Sequence, residues 1–155
     1  MSDEGIKVVA RNRKAQHEYF LEDRYEAGIV LKGTEIKSVR AGQVSLQEAY
    51  VAIERGEAWL HAAHIAPYDP ASEMNHNPVR SRKLLLHRRE LDRLTRSVQQ
   101  KGYTIVPTRM YLAHGLAKVE IALAKGKRQY DKRRKIKERD AQRQVDRALS
   151  RRRSS

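Results

Sequence analysis

Six histidines, His17, His61, His64, His76, His87 and His114, are the side chains here best suited to proton or metal chemistry near neutral pH. His61 and His64 stand three apart in a run that reads as a strand, which turns them to opposite faces and argues against a shared metal. His76, in EMNHNP, is of the right type for acid–base work, but no nucleophile or partner base accompanies it. The absence of Cys removes thiolate catalysis, thiolate metal sites and disulfides together, and fits a reducing compartment. No G-x-x-x-x-G-K-[ST], G-x-G-x-x-G or H-E-x-x-H occurs. Carboxylate pairs such as Glu22–Asp23 and Glu54/Glu57 read as solvated charge at turns. These patterns predict no enzyme, no metal and no cofactor.

The chemistry that does stand out is charge. Residues 125–155 hold 14 Lys or Arg against 4 Asp or Glu, which accounts for ten of the fourteen net positive charges of the 155-residue chain. The first 124 residues are near balance, with 19 basic and 15 acidic side chains. A segment this polar cannot bury enough apolar surface to offset its own ordering, but it can release counterions from a polyanion. Tyr130, the tail's one aromatic residue, sits among cations, the arrangement by which proteins stack on unpaired bases. Behind it Ala141, Val145, Ala148 and Leu149 form a weak apolar stripe at helical spacing. Nucleic acid is the expected partner. A membrane is not, since no apolar run is long enough to cross one and the tail lacks Trp and Phe. MSDEGIKVVARNRK has no signal-peptide pattern, so a cytoplasmic location is expected.

The body must position whatever recognises that partner. Residues 1–16 read as a polar arm, ordered only where tied down. EYFLEDRYEAGIVL reads as two short strands or one bent strand, with Gly28 a candidate bulge or close-approach site. KGTEIKSVRAG predicts a short helix with Thr34 as cap and Gly42 beyond its end. Hairpins are expected at Arg55–Gly56 and at His114–Gly115, with a loop over 67–79. RSRKLLLHRRELDRLTRSVQQKG predicts one long helix. Its Leu84, Leu91, Leu94 and Val98 share a sector, Arg82, Arg89, Arg93 and Arg96 lie opposite, and Gly102 ends it. Strands joined by hairpins predict a mainly β, α+β body: a small antiparallel barrel with about three helices, over 1–124.

HEYFLEDRYEAGIVLKGTEIKSVRAG, AYVAIERGEAWLHAAHIAPY, PVRSRKLLLHRREL and LAKGKRQYDKR together resemble the SsrA-binding (SmpB) family, over about Lys7 to Arg139 and in order. The resemblance implies an oligonucleotide-binding-type barrel and a tail, 125–155, disordered when free and helical on the ribosome. It implies binding to transfer-messenger RNA and rescue of stalled ribosomes by trans-translation. The tail would occupy the empty small-subunit decoding centre and message channel, against ribosomal RNA. Elongation factor Tu would be engaged indirectly through the charged RNA, and the protein would act as a monomer.

Carried over by motif, the RNA surface comprises Glu26 of YEAG, Lys118 of AKVEI, and Lys83, Leu85 and His87 of KLLLH. By charge, Asn12, Arg13 and Lys14 of the arm and Lys37 and Arg40 of the short helix are candidate phosphate contacts. In the tail, Gly126, Tyr130, Asp131, Lys132 and Arg133 match the positions linked to tagging. A general nucleic-acid protein with a neutralising tail stands as the alternative, and a nuclease using His76 or His87 as a remote one.

Overall fold

The computed structural model describes residues 5–68, 75–127 and 139–150. In chain order its elements are β1 (Ile6–Arg11), α1 (Arg13–Glu18), β2 (Tyr19–Ile29), α2 (Gly33–Arg40), β3 (Val44–Ser45), β4 (Tyr50–Glu54) and β5 (Glu57–His61). There follow β6 (His64–Ile65), β7 (Arg82–Leu85), α3 (Arg88–Lys101), β8 (Thr104–Ala113) and β9 (Leu116–Gly126). A last helix, α4, covers 139–150.

Two local turns set much of the pairing. Arg55 and Gly56 have φ of 53° and 76°, and His114 and Gly115 have φ of 51° and 77°. Two consecutive left-handed residues give a tight turn whose twist suits antiparallel strands. β4 therefore folds onto β5, and β8 onto β9, at the expected places. All pairings in the main sheet are antiparallel, in the order β1-β8-β4-β5-β7-β2-β9, and β9 also pairs with β8. Six strands thus close a ring. β1 lies outside it, sharing one edge of β8 with β4: β1 takes Arg109–Ala113, and Val51 of β4 faces Ile105.

Every second strand residue turns into this ring. Ala27, Val51, Ala58, Leu60, Leu84, Ile105, Met110, Val119 and Ile121 fill it, and Val39 of α2 and Leu94 of α3 join the same cluster. A smaller cluster, Ala15 with Val106 and Ala124, holds α1 to the outside of β8 and β9. Burying each of the Val, Leu, Ile and Met side chains among these contributes roughly 1.5–3 kcal/mol before ordering entropy is charged against it.

Two open readings are settled and two expectations change. The arm is ordered from residue 5, because β1 pairs along β8 and α1 packs on the barrel. β2 is a single strand whose irregularity lies between Glu22 and Arg24, not at Gly28. Lys32 rather than Thr34 precedes α2, its backbone N–H donating to Glu35 Oε1 at 2.8 Å, while the Thr34 hydroxyl turns to His76 Nδ1 at 2.9 Å. The long helix starts at Arg88, not near Arg80. Residues Arg82–Leu85 are instead strand β7, bonded on both edges to β5 and β2. Two rows of backbone partners outweigh a helical pattern that a three-leucine run satisfies equally well. Gly102, with φ of 69°, ends α3 as expected.

The shift at β7 carries Arg82 from a presumed solvent face into the interior, where it and Glu35 are both fully buried. Arg82 Nε donates to Glu35 Oε2 at 2.5 Å, and its Nη1 and Nη2 reach Ala63 O at 2.8 Å and Pro78 O at 3.0 Å. Burial alone would push the Glu35 carboxyl up. The Arg80 guanidinium, the Lys32 N–H and Arg82 together hold it below the usual carboxylate range. This cluster ties α2 to β7 and to the residues 77–80 that precede it.

Within the tail, 139–150 is helical and every residue of it is exposed. Gln142 donates to Asp146 at 3.1 Å one turn on, and Val145 and Leu149 lie open on the stripe the spacing predicted. No helix among the described residues is long and apolar enough to cross a membrane.

Candidate nucleic-acid interface

Alternation that fills the barrel also decides what faces out. On β2, Ala27 points inward, so Glu26 and Gly28 point outward; on β9, Ala117, Val119 and Ile121 are buried, so Lys118 and Glu120 face out. Register then sets these neighbours side by side. Gly28 is the direct partner of both Leu85 on β7 and Lys118 on β9, and Lys118 in turn faces Tyr111 on β8. Glu26 faces Glu120 in the adjoining row. Glu26, Leu85 and Lys118, distant in sequence, therefore meet on one outward patch.

Gly28 keeps that patch open. A Cβ there would stand 3.3 Å from Leu85 Cβ, tighter than ordinary contact. This is the close approach the sequence suggested. Leu85 remains 54% exposed, an apolar surface at the centre of a charged strip.

Glu26 does not hang free. The Tyr111 hydroxyl donates to its Oε2, and the Arg109 guanidinium lies 4.9 Å from the Tyr111 ring centroid. Burial, then the bond to Glu26, pushes the Tyr111 hydroxyl well above the usual tyrosine range, so it stays protonated and donates. Glu120 is gripped similarly: the Thr108 hydroxyl donates to its Oε2 at 2.6 Å and Arg109 Nε at 3.2 Å. One oxygen of Glu26 remains available to a base amine or a ribose hydroxyl, beside an ammonium suited to phosphate.

The other predicted residues divide. Lys83 sits on the same outward side of β7, with Nζ 3.1 Å from Glu57, and His87 is exposed two residues past Leu85, at the start of α3. Lys37 and Arg40 are exposed on α2, where Lys37 Nζ lies 5.2 Å from the Tyr68 ring centroid. Arg13 and Lys14 are exposed on α1, and Lys14 Nζ pairs with Glu48 at 2.9 Å. Asn12 requires correction as a phosphate contact. Its side chain is 2% exposed, accepts from the Ala15 N–H at 3.1 Å and donates to Pro107 O at 2.8 Å. It caps α1 and pins it to β8, and its burial keeps the amide away from a ligand. Gly126 ends β9 beside a cleft of about 760 Å³ lined also by His17, Tyr19 and Lys127. Tyr130, Asp131, Lys132 and Arg133 lie outside the described residues.

Two of the histidines, His76 and His61, are held in hydrogen bonds. His76 is buried, its Nε2 2.8 Å from Ile65 O and its Nδ1 on Thr34. His61 bonds Ser81 at 2.7 Å and Glu54 at 3.0 Å, and His64 belongs to the separate β6. Among the described residues no group of three His, Asp or Glu could hold a metal.

Tyr111, Arg109 and Glu120 were missed by the sequence reading, although a signal existed. A two-residue turn at His114–Gly115 places Ala113 opposite Leu116. Counting back by twos then sets Tyr111 opposite Lys118 and Arg109 opposite Glu120.

Comparison with known proteins identifies the family. The family model described as SmpB protein matches residues 9–151. An SsrA-binding protein of Desulfitobacterium hafniense (strain DSM 10664 / DCB-2) is 53% identical over 147 residues, covering 95% of this chain and 94% of that protein. One from Roseiflexus castenholzii is 58% identical over 147 residues, covering 94% and 93%. Among solved structures, a chain of "tmRNA-SmpB: a journey to the center of the bacterial ribosome" matches with a TM-score of 0.65 and 48% identity, covering 79% of this chain and 85% of that one.

Proposed function

This chain belongs to the SmpB protein family, and from that premise we propose that it binds transfer-messenger RNA and brings it to stalled ribosomes for trans-translation. It is an RNA-binding protein and not an enzyme. The observation that carries the reading to particular residues is the meeting of Glu26, Leu85 and Lys118 around Gly28. There a carboxylate can accept from a base or a 2′-hydroxyl, an ammonium can meet phosphate, and an exposed leucine can lie against a base. Lys83 and His87 extend the strip along one side. Lys37, Arg40 and Lys14 add positive charge elsewhere on the body.

Body and tail divide the work. The barrel holds the tRNA-like domain of the RNA. The tail, from Gly126 through Tyr130, Asp131, Lys132 and Arg133, enters the vacant decoding centre and the message channel beyond it. A channel lined with ribosomal RNA attracts cations, and intact message excludes the tail sterically. The α4 stripe of Val145 and Leu149 finds cover there. The protein acts as a monomer in the cytoplasm, and elongation factor Tu is engaged through the charged RNA.

Removing residues from Tyr130 onward should leave affinity for the tRNA-like domain nearly intact while abolishing peptide tagging on ribosomes stalled at a message's end. Loss of RNA binding in the truncated protein would break this division. Equal binding of wild type to an unrelated folded RNA would favour a general nucleic-acid protein instead. Within the tail, Tyr130→Ala should impair tagging more than Tyr130→His, since only the latter keeps a stacking ring.

A further inference from the structure

Next to the Glu26 strip, on the same outward face, three arginines surround one cavity. Arg11 on β1 and Arg109 on β8 are direct register partners. Arg24 on β2 reaches in from the far side, its Nη1 3.4 Å from Glu120 Oε2. The cavity measures about 350 Å³, and Gln16, Thr108 and Glu120 complete its lining.

Like charges directly opposite one another on neighbouring strands repel, so an Arg–Arg register pair is unfavourable without an anion. Glu120 is the one anion in the lining, and it meets its donors through a single oxygen. The Thr108 hydroxyl, Arg109 Nε and Arg24 Nη1 all donate to Oε2. Three guanidinium charges against one carboxylate leave the lining at a formal +2. Arg11 is exposed and has no acidic partner among the described residues. Arg109 is steadied by the Tyr111 ring, and its two terminal nitrogens carry no hydrogen bond among the described residues.

We propose that Arg11, Arg24 and Arg109 seat a phosphate of the RNA backbone beside Glu26. A guanidinium fork matches two phosphate oxygens at once, which no lysine can do. Arg11, Arg109, Glu120 and Glu26 follow one another in register across β1, β8, β9 and β2. Arg109 and Glu26 are therefore two strand spacings apart, roughly 10 Å. An RNA strand lying on Glu26 and Lys118 thus continues over the seat. The Tyr111 ring links the two places, supporting Arg109 on one and bonding Glu26 on the other.

This inference rests on the RNA-binding reading above, and one experiment separates them. Affinity of the full chain for the tRNA-like domain of transfer-messenger RNA is measured between about 50 and about 200 mM salt, for wild type and variants. Arg11→Gln/Arg109→Gln should weaken binding on the order of tenfold and reduce the log–log salt slope by about one. Arg24→Gln, at a half-exposed side chain, should move both quantities the same way, and it carries the test if the double variant fails to fold. Arg89→Gln removes the same charge from the exposed face of α3 and should change neither. Glu120→Gln should tighten binding, because it frees the guanidiniums of their competitor while its amide oxygen still accepts from Thr108. Arginine variants that behave like Arg89→Gln would overturn the seat, as would a Glu120→Gln variant that binds more weakly. A wild-type chain that does not bind the RNA would overturn the functional reading itself.

Discussion

The Tyr111 hydroxyl donates to Glu26 Oε2, joining a buried ring on β8 to an exposed carboxylate on β2, with Lys118 on the strand between them. The bond fixes the direction of the Glu26 carboxylate in the strip around Gly28. It also uses a donor that cannot ionise near neutral pH, so the arrangement holds across the physiological range.

Tyr111→Phe keeps the ring and removes the hydroxyl. Stability should fall by about 1 kcal/mol or less, the usual net worth of one hydrogen bond. RNA affinity should fall severalfold, because the Glu26 carboxylate is then free to rotate. In a double-mutant cycle with Glu26→Gln, measured by RNA binding, the losses should be less than additive. Additive losses would show that Tyr111 does not act through Glu26.

Gly28 tests shape rather than charge. An added Cβ crowds Leu85 at 3.3 Å, and Leu85 is exposed enough to shift. Gly28→Ala should therefore leave the melting temperature nearly unchanged, and Gly28→Val should cost several degrees. Both should weaken RNA binding, valine more than alanine. Unchanged affinity in the valine variant would remove Gly28 from the interface.

The Glu35–Arg82 pair tests the interior. Both side chains are fully buried, so Glu35→Ala leaves the Arg82 guanidinium without its carboxylate and should destabilise by about 3–5 kcal/mol in urea unfolding, whereas Arg82→Ala should cost less because Arg80 still holds Glu35. Replacing both with apolar residues, Glu35→Leu with Arg82→Met, should recover most of the Glu35→Ala loss. A double variant as unstable as Glu35→Ala would mean that the bonds to Ala63 and Pro78, not the charge pair, dominate.

The same carboxylate predicts acid sensitivity. Glu35 titrates below its ordinary value of 4.5 in the folded protein, so the unfolded chain binds that proton more tightly. Its stabilisation is complete above about pH 4.5 and is lost as pH falls further, through the folded value. The urea midpoint of wild type should drop between about pH 5 and about pH 3, and Glu35→Gln should flatten that part of the profile. An equally steep profile in the variant would assign the acid response to other carboxylates.

Local signals in the chain were read correctly where the cause is itself local. Arg55–Gly56 and His114–Gly115 define their hairpins because two adjacent residues must take positive φ. α3 was legible from Arg88 onward, through its leucine spacing and Gly102, but its start was not. The fate of KLLL depended on two strands, β5 and β2, whose edges only the closed barrel presents. Asn12 and Arg82 look solvent-facing by residue type, and both are buried because specific carbonyls and one carboxylate wait for them there.

By itself, the amino-acid order determined the class of partner and the kind of molecule. Ten of fourteen net charges in the tail, no Cys and no catalytic motif point to a nucleic-acid-binding protein with a cationic extension, and four motifs narrow it to one family. Composition and short-range spacing suffice for that, since counterion release and tight turns depend on few neighbours. Only the tertiary structure decided which outward residues stand side by side. Glu26 and Tyr111 are 85 residues apart, and Arg11 meets Arg109 across a strand pair of similar separation. Such meetings follow from ring closure and register, and a slip of one residue in a strand would turn its whole outward row into the core.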